Sequence, residues 1–339
     1  MKQTQFGWGE NMKKSDKGKE IFDGFDKKIK ELEGKIESPE TEKVIKDWLK
    51  FQSKFHNYSF RNTVWMMMQA EARDFNLERV APFKKWGEMK GNEDQKVSIN
   101  KGSKGFTVLF PYEYIIYKRD KKGKVIEDKN GKKVPERDEN GKIKKRLSYG
   151  VGHVFDVQQT NAKEIGAFKN LNYRGEIVPI EADLVKEVAN RITEKYKIPV
   201  EFIKDPLRGA GGWYTPSENK ISVNLAQCDN NSHALGTLFH ELGHARMHKD
   251  SDLNRNLAEG QAEAFSYAAS SAFGIERDSQ LYIKNWIEDE HSLTEVMGNI
   301  SKQVRNTFND LKLNELVQEH SQEYHQKQNQ NQECGIKVA

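Results

Sequence analysis

The feature that most narrows this chain is the pentapeptide His240-Glu241-Leu242-Gly243-His244. Two histidines four apart can serve one metal ion only on a helix, where positions i and i+4 leave the same face one turn apart. The spacing therefore demands a helix, and Leu235, Leu238, Phe239, Leu242 and Ala245 give it an apolar back to bury. Its expected span is Ser232 to His248, capped by Ser232 or Asn231. Glu241 then stands beside the metal position, where a carboxylate can take a proton from metal-bound water. Zinc is the expected ion and hydrolysis, with no covalent intermediate, the expected reaction class. The bland alternative is two surface histidines on a helix.

A catalytic zinc needs a third protein ligand and an open position. Glu259, 15 residues after His244 on the helix LAEGQAEAFSYAAS, is the first choice. Glu263, one turn later, is the alternative ligand or the group that hydrogen-bonds a ligand imidazole and fixes its tautomer. Asp250 falls where one class of zinc hydrolases places its third ligand, but Met247 stands where those sites need a turn glycine. His248 extends the i+4 row, yet lies about 12 Å along the helix from His240, too far to share the ion. Cys228 and Cys334 have no metal-site spacing, which leaves a histidine–carboxylate set.

Around this helix the chain divides in two. Residues 10–50 read as charged helix with a new start near Ser38-Pro39, and a second apolar helix spans Tyr58 to Arg73. The stretch Lys96–Tyr117 alternates β-branched and aromatic residues, and Gly152–Val157 reads as a returning strand. The expected first domain, 1–160, is α+β. The second, 161–312, is mostly helical with a small sheet. It comprises a helix from Ile180 to Lys197, strand 200–203, a hairpin turning at Pro216–Asn219, and helices over 232–248, 255–273, 277–290 and 292–312. Lys220–Asn224 is expected to offer an edge to an extended peptide. The Gln-rich segment 313–339 is expected to be a disordered polar tail.

No apolar run approaches the roughly 20 residues of a spanning helix, so no membrane association is expected. The start, MKQTQFGWGENMKK, has no apolar signal-peptide core, and a cytoplasmic setting is the expectation. The net charge of +4 hides a local excess. Between Lys118 and Arg146 ten Lys and three Arg face six acidic residues, a net +7. Three turn signals recur there, at Asp120–Lys124, Asp128–Lys132 and Asp138–Lys142, predicting a basic β-hairpin insertion over 118–147. It reads either as a solvated edge-protecting element or as a basic arm for phosphates.

The order of several short motifs resembles the ArdC antirestriction family of plasmids and phages, with its LtrC-like relatives. They are Asn57–Thr63, Lys101–Gly105, Val154–Thr160, His240–His244, Asp252–Arg255, Ala258–Ala264 and Tyr282–Trp286, covering roughly residues 45–312. The resemblance implies an N-terminal single-stranded-DNA-binding domain followed by a zincin-like metallopeptidase domain. It also implies Glu259 as the third zinc ligand, as in related ImmA-type peptidases. The long basic insertion departs from the family pattern. Single-strand binding needs cations and aromatic platforms together. The candidates beside polar turns are Tyr58, Arg61, Asn62, Trp86, Lys101 and Lys104. Implied partners are single-stranded DNA, duplex DNA as a further option, and a protein substrate. Two other readings stand beside this one. One is a DNA-protecting protein whose zinc does no chemistry; the other is an ImmA-like protease cleaving a regulatory protein.

Overall fold

A computed structural model describes residues 16–167, 179–249, 253–277 and 292–336. The fold is mixed α+β with two small sheets. The charged N-terminal stretch forms α1 (Asp16–Glu33) and α2 (Pro39–Lys54). The break falls where expected: Ser38 accepts from the Thr41 N–H, and Pro39 occupies the first turn, where its missing donor costs nothing. Helix α3 (Phe60–Glu71) is capped by Ser59.

The first sheet has the order β1–β3–β2, all antiparallel: β1 is Val80–Pro82, β2 is Phe106–Ile115 and β3 is Lys145–Asp156. Helix α4 (Phe83–Glu88) follows β1 directly. Only the second half of the Lys96–Tyr117 stretch becomes a strand. Strands β2 and β3 run as a long ribbon, from Phe106 opposite Val154 to Ile115 opposite Lys145, with the hairpin insertion at its far end.

After α5 (Ala182–Tyr196), strands β4 (Val200–Ile203), β5 (Gly212–Thr215) and β6 (Lys220–Asn224) form a sheet of order β4–β6–β5. Strand β6 is parallel to β4 and antiparallel to β5. This corrects one expectation. Lys220–Asn224 is the central strand with both sides paired, and the edge strands are β4 and β5. Helices α6 (Asn231–Met247), α7 (Arg255–Ser271), α8 (Leu293–Asp310) and α9 (Leu313–Ile336) complete the described chain. The cap of α6 is Asn230, just before the expected Asn231 or Ser232, because its side chain accepts from the His233 N–H. All but the first residue of the helix expected over 277–290 lies outside the described residues, as do the motif Tyr282–Trp286 and Asp250.

One apolar core draws residues from both sides of position 160. Phe25, Ile45, Trp48, Leu49, Phe60 and Val64 from α1–α3 are buried in the same cluster as Leu238, Leu242, Phe265, Ile300 and Phe308. Contacts between α2 and α7 and between α3 and α8 carry it. The amphipathic faces of α1–α3 are too apolar to be covered by the β1–β3–β2 sheet alone, so they cover the second half as well. The C-terminal segment also differs from its expectation. Leu313 and Leu316 are buried against the core, Arg191 Nη2 pairs with Glu319 of α9 at 3.7 Å, and His320 of α9 bonds the Pro179 carbonyl. Two leucines a turn apart suffice to seat a helix that composition alone reads as polar tail.

Candidate metal centre

The close approach of α6 and α7 assembles the site. Gly243, inside the histidine pentapeptide, faces Ala262: a Cβ on the glycine would lie 3.1 Å from the Ala262 Cα. The two small residues bring the polar face of α6 against Glu259 and Glu263 of α7, which share one face of their helix.

Three ligand atoms then converge. The Nε2 atoms of His240 and His244 are 3.1 Å apart, and Glu259 Oε2 is 3.3 Å from the first and 3.5 Å from the second. Metal–ligand bonds of about 2.0–2.1 Å at tetrahedral angles place neighbouring ligand atoms about 3.3 Å apart. The outer ring nitrogens are already committed. His240 Nδ1–H donates to Glu263 Oε2 at 3.0 Å, and His244 Nδ1–H faces His248 Nδ1 at 3.1 Å. Both Nε2 lone pairs therefore point at one another and at a carboxylate. Three acceptors facing one point require a cation between them, so these residues fit a divalent metal. His240, His244 and Glu259 are the group among the described residues able to hold one.

Without a metal the same field holds a proton. Burial opposes charge on His240, but Glu259 and Glu263 outweigh it and raise its pKa to about 9. Hydrogen bonds from His240 and His244 hold the Glu259 carboxyl far below the usual carboxylate range. Glu241 is buried, and that burial pushes its pKa up, although the Tyr214 N–H of β5 helps to hold its charge. A raised pKa is what a proton acceptor working near neutrality needs. Gly212 lets β5 come this close: a Cβ there would stand 2.7 Å from Thr237 Cγ2 and 3.1 Å from Glu241 Cγ.

Glu263 stands behind His240, the imidazole-supporting place the sequence offered it beside that of alternative ligand, whereas sequence reasoning missed Arg277 and the backing position of His248. Arg277 grips Glu263 with Nε to Oε1 at 3.1 Å and Nη2 to Oε2 at 3.2 Å. The guanidinium passes over Gly236, where a Cβ would lie 2.1 Å from Nη1. His248 does not share the metal position, as its spacing implied, but backs His244. Burial holds its pKa down to about 4, so it accepts at Nδ1 and donates through Nε2 to Gln261 Oε1 at 3.3 Å. A histidine at i+4 from a ligand was a readable signal for that role; nothing in the sequence marked Arg277.

The six nucleic-acid candidates fare unequally. Trp86 is fully buried and donates from Nε1 to the Phe155 carbonyl at 2.9 Å. Asn62 is buried too, and its amide pairs both ways with the Leu109 backbone at 2.8 Å. Neither can reach a ligand, because each satisfies polar groups inside the fold, and both expectations are corrected. Tyr58 packs half-buried against the core, and burial lifts its phenol to about 12. Arg61 lies over the Phe22 and Phe25 rings at 4.2 and 4.3 Å and pairs with Asp26. Lys101 and Lys104 are exposed, on a turn where Gly102 takes a φ of 85°.

Comparison with known proteins bears on the N-terminal half first. Residues 15–151 match the model of the N-terminal domain of anti-restriction factor ArdC. Among solved structures, the antirestriction protein ArdC of the R388 plasmid is similar in its metal-free form, at 17% identity and a TM-score of 0.44. That match covers 76% of this chain and 85% of the other. The Mn(II)-bound form of the same protein gives 16% identity and a TM-score of 0.43, covering 80% and 97%. No curated protein sequence matches.

Proposed function

Since this chain is ArdC-like, through an N-terminal domain of that family, we propose that it is an antirestriction protein of the plasmid or phage type. In this reading its N-terminal part binds single-stranded DNA, and its second half is a zinc-dependent metallopeptidase of zincin type. The observation that carries the second half is the triangle of His240, His244 and Glu259, with Glu241 buried beside it. Two imidazoles and one carboxylate are the donor set of a catalytic zinc that keeps a position open. When bound, zinc would supply an acidified water and polarise a substrate carbonyl.

The protein's own part can be stated from its residues. Glu263 and His248 fix the outer nitrogens of the two ligand imidazoles, so that both Nε2 lone pairs stay turned inward. Glu241 accepts the proton of the attacking water and returns it to the leaving amine, a task its raised pKa suits. The free edge of β5, whose Tyr214 N–H meets Glu241, lies where an extended peptide could add as a further strand.

The test combines metal content with two activities. Protein purified from zinc-supplemented medium is analysed for zinc, manganese and iron. Wild type and Glu241→Gln are then compared for cleavage of a peptide library and for protection of incoming plasmid DNA in a restricting host. The expectation is about one zinc per chain in both proteins, with cleavage reduced about 10²–10⁴-fold in the variant. Protein that holds no zinc, or Glu241→Gln that cleaves like wild type, defeats the metallopeptidase reading. Unimpaired protection by Glu241→Gln would instead favour a zinc site without chemistry.

A further inference from the structure

The β2–β3 ribbon and the three hairpins at its end take no part in the metal centre. Each hairpin tip is built alike, on an Asp whose Oδ1 accepts from the N–H groups two and four residues onward. Asp120 does so with Lys122 and Lys124, Asp128 with Asn130 and Lys132, and Asp138 with Asn140 and Lys142, all at 2.8–3.0 Å. Gly123, Gly131 and Gly141 supply the positive φ of 81°, 75° and 77° that each tip needs.

Backbone bonds then close the hairpins on one another in two rings. Lys118 N–H donates to the Val134 carbonyl, Val134 N–H to Ile126 and Ile126 N–H to Lys118. One layer nearer the ribbon, Ile116 donates to Lys144, Lys144 to Glu136 and Glu136 to Ile116. The insertion is therefore a knob in which three hairpins hold each other, not a loose arm. All ten Lys and three Arg between 118 and 146 are exposed, while three of the six acidic side chains are turned onto the tip amides.

The ribbon leading to the knob carries an aromatic stripe. Phe106, Val108, Phe110, Tyr112 and Tyr114 share one face of β2. The first two are buried in the core, whereas Phe110, Tyr112 and Tyr114 are 46%, 45% and 42% exposed. Successive ring centroids are 6.2 and 6.4 Å apart. Phe110 lies on bare backbone, since a Cβ on Gly150, its partner on β3, would come within 2.5 Å of its Cζ. Farther along the same face, Ser148 and Arg146 stand opposite Tyr112 and Tyr114.

We propose that Phe110, Tyr112 and Tyr114 form a base-stacking platform for single-stranded DNA, and that the basic knob continuing the same ribbon tracks its phosphates. This rests on the single-strand reading above and gives it a surface. Exposed rings in a row match base faces, which a duplex hides in its own stack and a single strand displays. The net +7 next to them matches a polyanion. The surface lies apart in sequence from the Lys101–Lys104 turn; the sequence marked its basic part but not the aromatic stripe.

The test uses the full chain and fluorescein-labelled (dT)20, with a 20-base-pair duplex as comparison, by anisotropy across a salt series. One variant is Phe110→Leu/Tyr112→Leu/Tyr114→Leu, which keeps apolar bulk and removes the rings. The other is Lys121→Gln/Lys122→Gln/Lys129→Gln/Lys132→Gln/Lys142→Gln. All eight positions are exposed, and thermal melts verify folding. The ring variant should bind (dT)20 about 100-fold or more weakly at fixed salt, with an unchanged salt slope. The lysine variant should lose about 0.7 of slope per phosphate contact removed. Photocrosslinks from bromodeoxyuridine strands should map to residues 110–114. A ring variant within threefold of wild type, or an equal loss of duplex affinity, overturns the platform. Wild type that binds no single strand even at low salt overturns the underlying reading, and the platform with it.

Discussion

Gly243 of α6 approaches Ala262 of α7 so closely that a Cβ on the glycine would sit 3.1 Å from the Ala262 Cα and 3.3 Å from its Cβ. The histidines and the carboxylates ride on opposite sides of this contact, so its width sets the ligand triangle. Gly243→Val should lower stability by about 2–3 kcal/mol, the usual cost of overpacking a filled core. Helix separation would also pull Glu259 from the two Nε2 atoms. Urea denaturation checks the first effect, and zinc titration against a chromophoric chelator checks the second. A variant as stable as wild type that binds zinc equally well would show that the contact does not set the site.

Glu263 sits between His240 and Arg277, accepting from both. Glu263→Gln keeps the shape but loses the charge that makes His240 a stronger donor to a metal. Zinc affinity should fall about 10–100-fold, the usual cost of losing such a support, while the helices stay folded. Competition with a chelator of known affinity reads the change. Unchanged zinc affinity would make Glu263 a structural partner of Arg277 alone.

The convergence of His240, His244 and Glu259 was legible because a helical metal pair imposes a fixed spacing, and Glu259 was the first choice, with Glu263 the alternative, for a third donor on a neighbouring helix. Glu263 was legible behind them as a carboxylate one turn from Glu259, but Arg277 was not. Arg277 reaches Glu263 across a turn and over Gly236, a relationship set by tertiary packing that no local pattern records. The same limit explains Trp86 and Asn62. Both stand next to polar turns in the sequence, but the fold spends their hydrogen bonds on Phe155 and Leu109. The apolar cluster shared by both halves was hidden likewise, since periodicity shows that α1–α3 have apolar faces but not which half of the chain they cover.

Asn62 thus yields a prediction opposite to its expected role. Its Nδ2 donates to the Leu109 carbonyl and its Oδ1 accepts from the Leu109 N–H, both at 2.8 Å in a buried setting. Asn62→Ala strands two backbone groups of β2 and should cost about 2–4 kcal/mol. DNA affinity of the folded protein should stay as in wild type. Chemical denaturation with anisotropy on the same samples separates the two, and a loss of DNA affinity without a loss of stability would restore Asn62 as a contact.

His248 and His56 supply an acid-sensitivity that can be worked out in sign. Burial lowers both pKa values, His248 to about 4, against about 6.5 in an unfolded chain. Below pH 6.5 the unfolded chain binds protons that the folded one refuses, so stability falls as pH drops, for His248 until about pH 4. Glu241, with its raised pKa, works in the opposite direction over part of that range. His240 contributes little slope there, because with a pKa of about 9 it is protonated on folding and in the unfolded chain alike; its stabilising share is lost between about pH 6.5 and 9. The clean measurement is a difference: urea denaturation of metal-free wild type and His248→Gln at pH 7 and pH 4.5. The wild type should lose up to about 2 kcal/mol more than the variant over that interval. Equal losses would mean that His248 charges freely in the folded protein and does not hold the neutral form that backs His244.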